Sequence, residues 1–155
     1  MEKNIEIIGF SEELSNYFTE LNLAWLKKYF VVEPIDSEVL SYPKKFIIDK
    51  GGFIFFATAD GEIAGTFALI KIDEAEYELS KMAVDERFQG NKIGNKMLEF
   101  CMNELKQLQA TKLILFSNTI LQPAIHLYRK YGFAEIPVGN SEYNRANIKM
   151  EINFK

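Results

Sequence analysis

Between Glu78 and Gly94 the chain reads Glu-Leu-Ser-Lys-Met-Ala-Val84, then Asp-Glu-Arg-Phe-Gln89-Gly90-Asn91-Lys92-Ile93-Gly94, and the pattern turns from strand-like to helical within it. A strand that runs through a glycine-containing turn into a helix N-terminus leaves successive backbone N–H groups without partners, and such groups bind phosphate oxygens. Gly90 and Gly94 let the backbone approach an anion closely, and Lys92 adds a mobile positive charge. The same glycines also suit a plain strand-to-helix turn. Two familiar phosphate motifs fail on spacing. A P-loop follows its glycines with Gly-Lys-Ser/Thr, and the dinucleotide fingerprint sets them two and then three apart, whereas these are four apart.

Other reactive residue types offer less. His126 is the sole histidine; two positions before Tyr128 on a helix, it points roughly 200° away from that residue and toward the surface. Cys101 falls on an apolar helix face, where a thiol is buried and inert. With one His and one Cys a metal site has no support, and no calcium-loop spacing is present.

The elements around this segment alternate in period. Ser11 can cap a helix with Glu12 and Glu13 in its first turn and Lys27 and Lys28 near its end, the charge order the helix dipole favours. Leu14, Phe18, Leu21 and Trp25 form its core stripe, and Pro34 ends it. Asp36 and Pro43 can each open a short helical piece before Gly51-Gly52. Runs 53–59 and 62–72 flank Asp60-Gly61, a dipeptide suited to a type I′ turn, and read as a hairpin. A strand over 77–84 leads into a helix carrying Ile93, Met97, Cys101, Leu105 and Leu108, followed by a strand at 113–116. A second helix runs from Pro123 to Gly132, and strands at 134–138 and 147–154 finish the chain. Strands flanking the long helix should pair in parallel.

Composition bounds the partners. The 155 residues fit one domain spanning 1–155; 48% are apolar and 26% charged, with 13 Phe and 7 Tyr to fill a core. A net charge of −4 lacks the basic footprint that nucleic acid requires, and no apolar run is long enough for a bilayer span. The lone cysteine and an N-terminus without a signal-like pattern make a cytoplasmic location the default. A homodimer suits this size, although no sequence feature demands one.

Gln89-Gly90-Asn91-Lys92-Ile93-Gly94 directly after a strand ending Met82-Ala83-Val84 is one motif. Asn118 followed by Pro123-Ala-Ile-His-Leu-Tyr128-Arg-Lys-Tyr131-Gly-Phe133 is a second. In order and spacing they resemble the pyrophosphate loop Gln/Arg-x-x-Gly-x-Gly/Ala and the Asn…Ala-x-x-Leu-Tyr-x-Lys-x-Gly-Phe helix of the GNAT superfamily of acetyl-CoA-dependent N-acetyltransferases. The resemblance covers about Glu78 to Phe133. Lys92 stands where the family usually has glycine, so the backbone there must tolerate a Cβ.

The resemblance implies an α/β fold with a mixed central sheet, splayed and mostly antiparallel, containing one parallel pair and helices on both faces. It implies that acetyl-CoA or coenzyme A is the co-substrate, with no metal. The pantetheine arm would lie between the strand ending at Val84 and its parallel neighbour, against main-chain groups of Met82, Ala83 and Val84. Gln89, Gly90, Asn91, Lys92, Ile93, Gly94 and Asn95 would hold the pyrophosphate, with Asn118, Tyr128 and Tyr131 also on the cofactor.

The implied reaction is acetyl transfer to a primary amine by direct attack in a ternary complex. An alkylammonium of pKa about 10.4 is almost wholly protonated near neutrality, and only the neutral amine attacks a thioester. Glu78 matches a glutamate base of several members, acting directly or through water, although a strand carboxylate can equally face solvent. Tyr128 matches the tyrosine that protonates the leaving thiolate, although an aromatic there can be plain core. The Met82 amide would meet the oxyanion. The acceptor, a small-molecule or peptide amine, would enter among Trp25, Tyr29, Phe30, Glu33, Asp36, Tyr143, Arg145 and Asn147. Acidic groups there suit a cation, and Arg145 suits a carboxylate. A non-catalytic acyl-CoA sensor and a transferase for longer acyl-CoA remain as alternatives.

Overall fold

The computed structural model describes residues 3–154. Seven strands form one sheet: β1 (Ile5–Gly9), β2 (Phe53–Ala59), β3 (Glu62–Asp73), β4 (Glu76–Val84), β5 (Lys112–Ser117), β6 (Ala134–Ile136) and β7 (Ile148–Asn153). Their spatial order is β1-β2-β3-β4-β5-β7-β6. All pairings are antiparallel except β4 with β5. Helices α1 (Ser15–Tyr29), α2 (Pro34–Ser41), α3 (Ile93–Gln107) and α4 (Gln122–Lys130) complete the fold. This is the splayed, mostly antiparallel mixed sheet, with one parallel pair, that the motifs imply.

Two packed layers explain the helix patterns. On one side Ile93, Met97, Cys101 and Leu105 of α3 are buried against Phe67 and Leu69 of β3 and Tyr77 and Leu79 of β4. On the other, Phe18 and Leu26 of α1 and Leu40 of α2 pack on Ile54 and Phe56 of β2. Removing apolar area of this kind from water contributes about 25 cal/mol per Å², so both layers hold the sheet between them. In the hairpin between β2 and β3, Asp60 and Gly61 have φ of 49° and 87°, the two positive values a type I′ turn requires.

Several boundaries differ from the sequence expectations. A 3₁₀ turn (Glu12–Leu14) precedes α1, which starts at Ser15. Its buried stripe is Phe18, Asn22 and Leu26, whereas Leu21 and Trp25 are only partly buried and line a cavity, Trp25 also packing on the core. Pro34 does not end α1 but opens α2 in its first turn, where its missing N–H costs no hydrogen bond. β6 stops at Ile136. β1 carries no signal the sequence reading used, since its pairing with β2 joins residues more than fifty apart.

Candidate active site

The site begins with a defect in β4. Thr66 of β3 pairs with Ala83, but Ala68 pairs with Ser80, so Lys81 and Met82 together oppose Phe67 alone. This is a β-bulge, and Lys81 accommodates it with φ at 54°, in the left-handed region. Bulges bend the strand that carries them. Pairing of β4 with β5 accordingly stops at Glu78 opposite Ile114, while β4 continues to Val84 and β5 to Ser117. The two strands diverge beyond that point.

A cavity of about 830 Å³ fills the gap, within the usual size of small-molecule sites. Its wall brings together Glu78, Met82, Ala83, Val84, Gln89, Gly90, Lys92, Ile93, Gly94, Asn95, Asn118 and Tyr128, together with Trp25, Tyr29, Tyr143 and Arg145. Asn91, Tyr131 and Glu33, also singled out from sequence, do not line it. The Asn91 side chain turns back to donate to Phe88 O at 2.8 Å. Tyr131 lies behind α3, where its hydroxyl donates to Glu99 Oε1 at 3.1 Å and so braces the first turns of that helix. Glu33 is held by Asn144 N and Arg145 Nη1.

At the loop, Lys92 caps α3 with φ of 57°, so the residue with a Cβ does take up the left-handed conformation. Ile93, Gly94 and Asn95 occupy the first helical positions, whose N–H groups have no intrahelical acceptor. Gly90 has φ of 88°, and a Cβ added there would meet no atom within 4 Å, so the space before it is open. A turn of this form suits an anion, and Gly90, Lys92, Ile93, Gly94 and Asn95 of it stand on the cavity wall.

Burial raises the Glu78 carboxyl to about 7; Glu142 adds to this, while Lys81, Lys149 and a Ser80 hydrogen bond oppose it. A group that exchanges its proton near neutral pH is suited to general base work. The Tyr128 ring packs edge-on to Phe133, with centroids 5.7 Å apart, and desolvation pushes its phenol up to about 12. It stays protonated at neutral pH and so has a proton to give. Asn118 lines the cavity, but its amide donates to Arg145 O at 2.7 Å and its carbonyl accepts from Ile120 N at 3.0 Å. Cys101 is fully buried, its thiol pushed up to about 12 by desolvation, and His126 is exposed.

A cluster of charges sits beside the bulge. Asp36 Oδ1 accepts from Lys81 Nζ and Arg145 Nη2, both at 2.9 Å, and Oδ2 accepts from Arg145 Nη1 at 2.7 Å and Glu33 N at 3.0 Å. Burial by itself would raise this carboxyl, but hydrogen bonds from Arg145 and Lys81 outweigh it and hold Asp36 at about 2. Glu33 accepts from Asn144 N at 2.9 Å and from Arg145 Nη1 at 3.1 Å, fastening the β6–β7 loop to α2. Tyr143 lies under both cations, 4.6 Å from Lys81 Nζ and 4.7 Å from the Arg145 guanidinium carbon. Glu33 and Asp36 are therefore charge-compensated and are not free to meet a cationic acceptor, which corrects the sequence expectation. Lys81 itself was missed. Its signal was parity, since it shares the alternating register of buried Tyr77, Leu79 and Ala83, where a charge must find a partner.

Among the described residues no helix is long and apolar enough to cross a membrane, and no group of three or more His, Cys, Asp or Glu could hold a metal. The profile of the Acetyltransferase (GNAT) family matches residues 14–133. Spermidine N(1)-acetyltransferase of Escherichia coli strain K12 is 28% identical over 120 residues, covering 73% of this chain. The match spans 63% of that relative's length. A GNAT-family acetyltransferase from Staphylococcus aureus Mu50 superposes with a TM-score of 0.88 at 24% identity, covering 98% of this chain and 100% of the other. PaiA N-acetyltransferase from Thermoplasma acidophilum, solved with coenzyme A, gives 0.77 at 21% identity, covering 97% and 99%.

Proposed function

The chain belongs to the GNAT acetyltransferase family, and from that premise we propose that it transfers an acetyl group from acetyl-CoA to a primary amine by direct attack in a ternary complex. The observation that carries this reading is the gap between β4 and β5, which opens beside an anion cradle and has a carboxyl near neutrality and a protonated phenol on its wall. The residues fit the co-substrate. Gly90 leaves room for an anion where a side chain would stand, and the free N–H groups at the start of α3 suit a diphosphate. The diverging edges of β4 and β5 suit an extended pantetheine arm. Bound acetyl-CoA supplies an activated acyl carbon and a thiolate leaving group.

Each residue then has one task. Gln89, Gly90 and Lys92 to Asn95 bind the diphosphate, and Met82 to Val84 align the arm along the strand edge. The Glu78 carboxylate takes a proton from the acceptor ammonium, directly or through water, so that the neutral amine attacks. The Met82 N–H donates to the carbonyl oxygen as it gains charge. Tyr128 donates its proton to the departing sulfur, and the second proton, which the nitrogen sheds as the amide forms, restores the phenol. Because Glu78 must be ionised, kcat/KM rises as pH increases through about 7.

Thiol release from acetyl-CoA, followed across chemically varied amines, tests the proposal. Amine-dependent, saturable release is expected. Saturable coenzyme A binding with no turnover on any amine would contradict it and leave a sensor.

A further inference from the structure

We infer that the acceptor is an amine that also carries a carboxylate, and that Arg145 is the residue that reads it. This rests on the transferase reading above.

A guanidinium has five N–H donors in one plane. In Arg145, Nη1 spends both of its donors, on Asp36 Oδ2 at 2.7 Å and Glu33 Oε2 at 3.1 Å, and Nη2 spends one on Asp36 Oδ1 at 2.9 Å. The two that remain, on Nε and Nη2, lie side by side on one edge of the plane. A carboxylate accepts bidentately from such an edge. Among the described residues no fully buried side-chain nitrogen or oxygen lacks a partner. The unpaired Nε therefore keeps some accessible surface, and Arg145 lines the cavity.

The cluster is also polarised. Its cations, Lys81 and Arg145, line the cavity, whereas their carboxylate partners Glu33 and Asp36 stand behind them. Of the carboxylates on the cavity wall, Asp85 is paired with Arg87 and Glu86 with Lys28. Glu20 and Glu78 are in no ion pair among the described residues and are left to meet the amine. An acceptor with an ammonium at one end and a carboxylate at the other matches this distribution. A polyamine would set its second cation against Arg145.

The test measures kcat/KM for ω-amino acids of increasing length against alkylamines and diamines of the same lengths. The best ω-amino acid should exceed its alkylamine and diamine counterparts by about 30-fold or more, mostly through KM. Arg145→Lys keeps a charge opposite Asp36 and Glu33 but loses the planar edge, and should cut that ratio to about threefold. The ratio, unlike the absolute rate, is not moved by general loss of structure, and the wild-type series decides even where the variant does not fold. Equal or better use of alkylamines or diamines, or a preference that survives Arg145→Lys, would overturn the inference and leave the transferase reading standing. Coenzyme A binding without turnover on any amine would overturn both.

Discussion

The turn before α3 offers a ligand main-chain amides, whereas the charge cluster beside β4 offers one side chains. Residues 90 to 95 present consecutive amides from one turn of the chain, and their direction follows from the strand-to-helix geometry alone. The cluster draws on α2, the bulge in β4 and the β6–β7 loop, so residues up to 112 positions apart must meet before it exists. The first depends on local conformation and tolerates substitution wherever the backbone stays in place. The second depends on tertiary packing, and each of its charges is tolerated inside only because the others are there. Under the proposed function, a common co-substrate would meet the first kind of construction and a particular acceptor the second.

That contrast can be broken by mutation. The largest effect is expected at the cluster, where Asp36→Ala leaves Lys81 and Arg145 uncompensated in the interior; a loss of about 3–5 kcal/mol in denaturant unfolding is expected. A loss within experimental error would show that the cluster is not interdependent. Asp36 also sets an acid limit. Its carboxyl is held at about 2, below the ordinary value of 3.8, so its stabilisation is full above about pH 4 and is lost as pH falls toward 2. Asp36→Asn should flatten that part of the stability profile.

Between the two regions stand the groups proposed to move protons. Tyr128→Phe should lower kcat about hundredfold or more while coenzyme A affinity, read by calorimetry, changes by less than about threefold. Unchanged kcat would remove Tyr128 as the acid. Glu78→Gln should cost about hundredfold in kcat/KM at pH 8 and abolish the limb near pH 7. The same carboxyl binds its proton more tightly folded than unfolded, so wild-type stability falls as pH rises from about 4.5 to 7. Glu78→Gln should recover up to roughly 3 kcal/mol at pH 8 and much less at pH 5. A smaller change is expected at the cradle. Gly90→Val meets no atom in the fold but occupies the open space and strains a φ of 88°, so coenzyme A should bind about tenfold more weakly. Unaltered affinity would place the diphosphate elsewhere.

What the sequence revealed follows the same division. Asp60-Gly61, the Gln89 to Gly94 loop and the α3 stripe from Ile93 to Leu105 are encoded within a few residues of themselves, and each appears in the structure, whereas Leu108, expected to extend the stripe, lies past the end of α3 and is exposed. Pro34 was misread because a proline that cannot continue one helix is equally fit to begin the next. Glu33 and Asp36 read as free acids because their partners, Arg145 and Lys81, lie far along the chain. The bulge at Lys81 has no glycine to announce it, and its left-handed backbone is held by an ion pair that only the folded chain can form.

The central claim is that the amides following Gln89 and the open edge of β4 hold coenzyme A. Titrating the ¹⁵N-labelled protein with coenzyme A and following backbone amide shifts tests it most directly. The largest changes should fall on Gly90 to Asn95 and Met82 to Val84, with little at β1 or β6. Saturation at those amides would support the account; changes centred on another surface, or none at millimolar ligand, would contradict it.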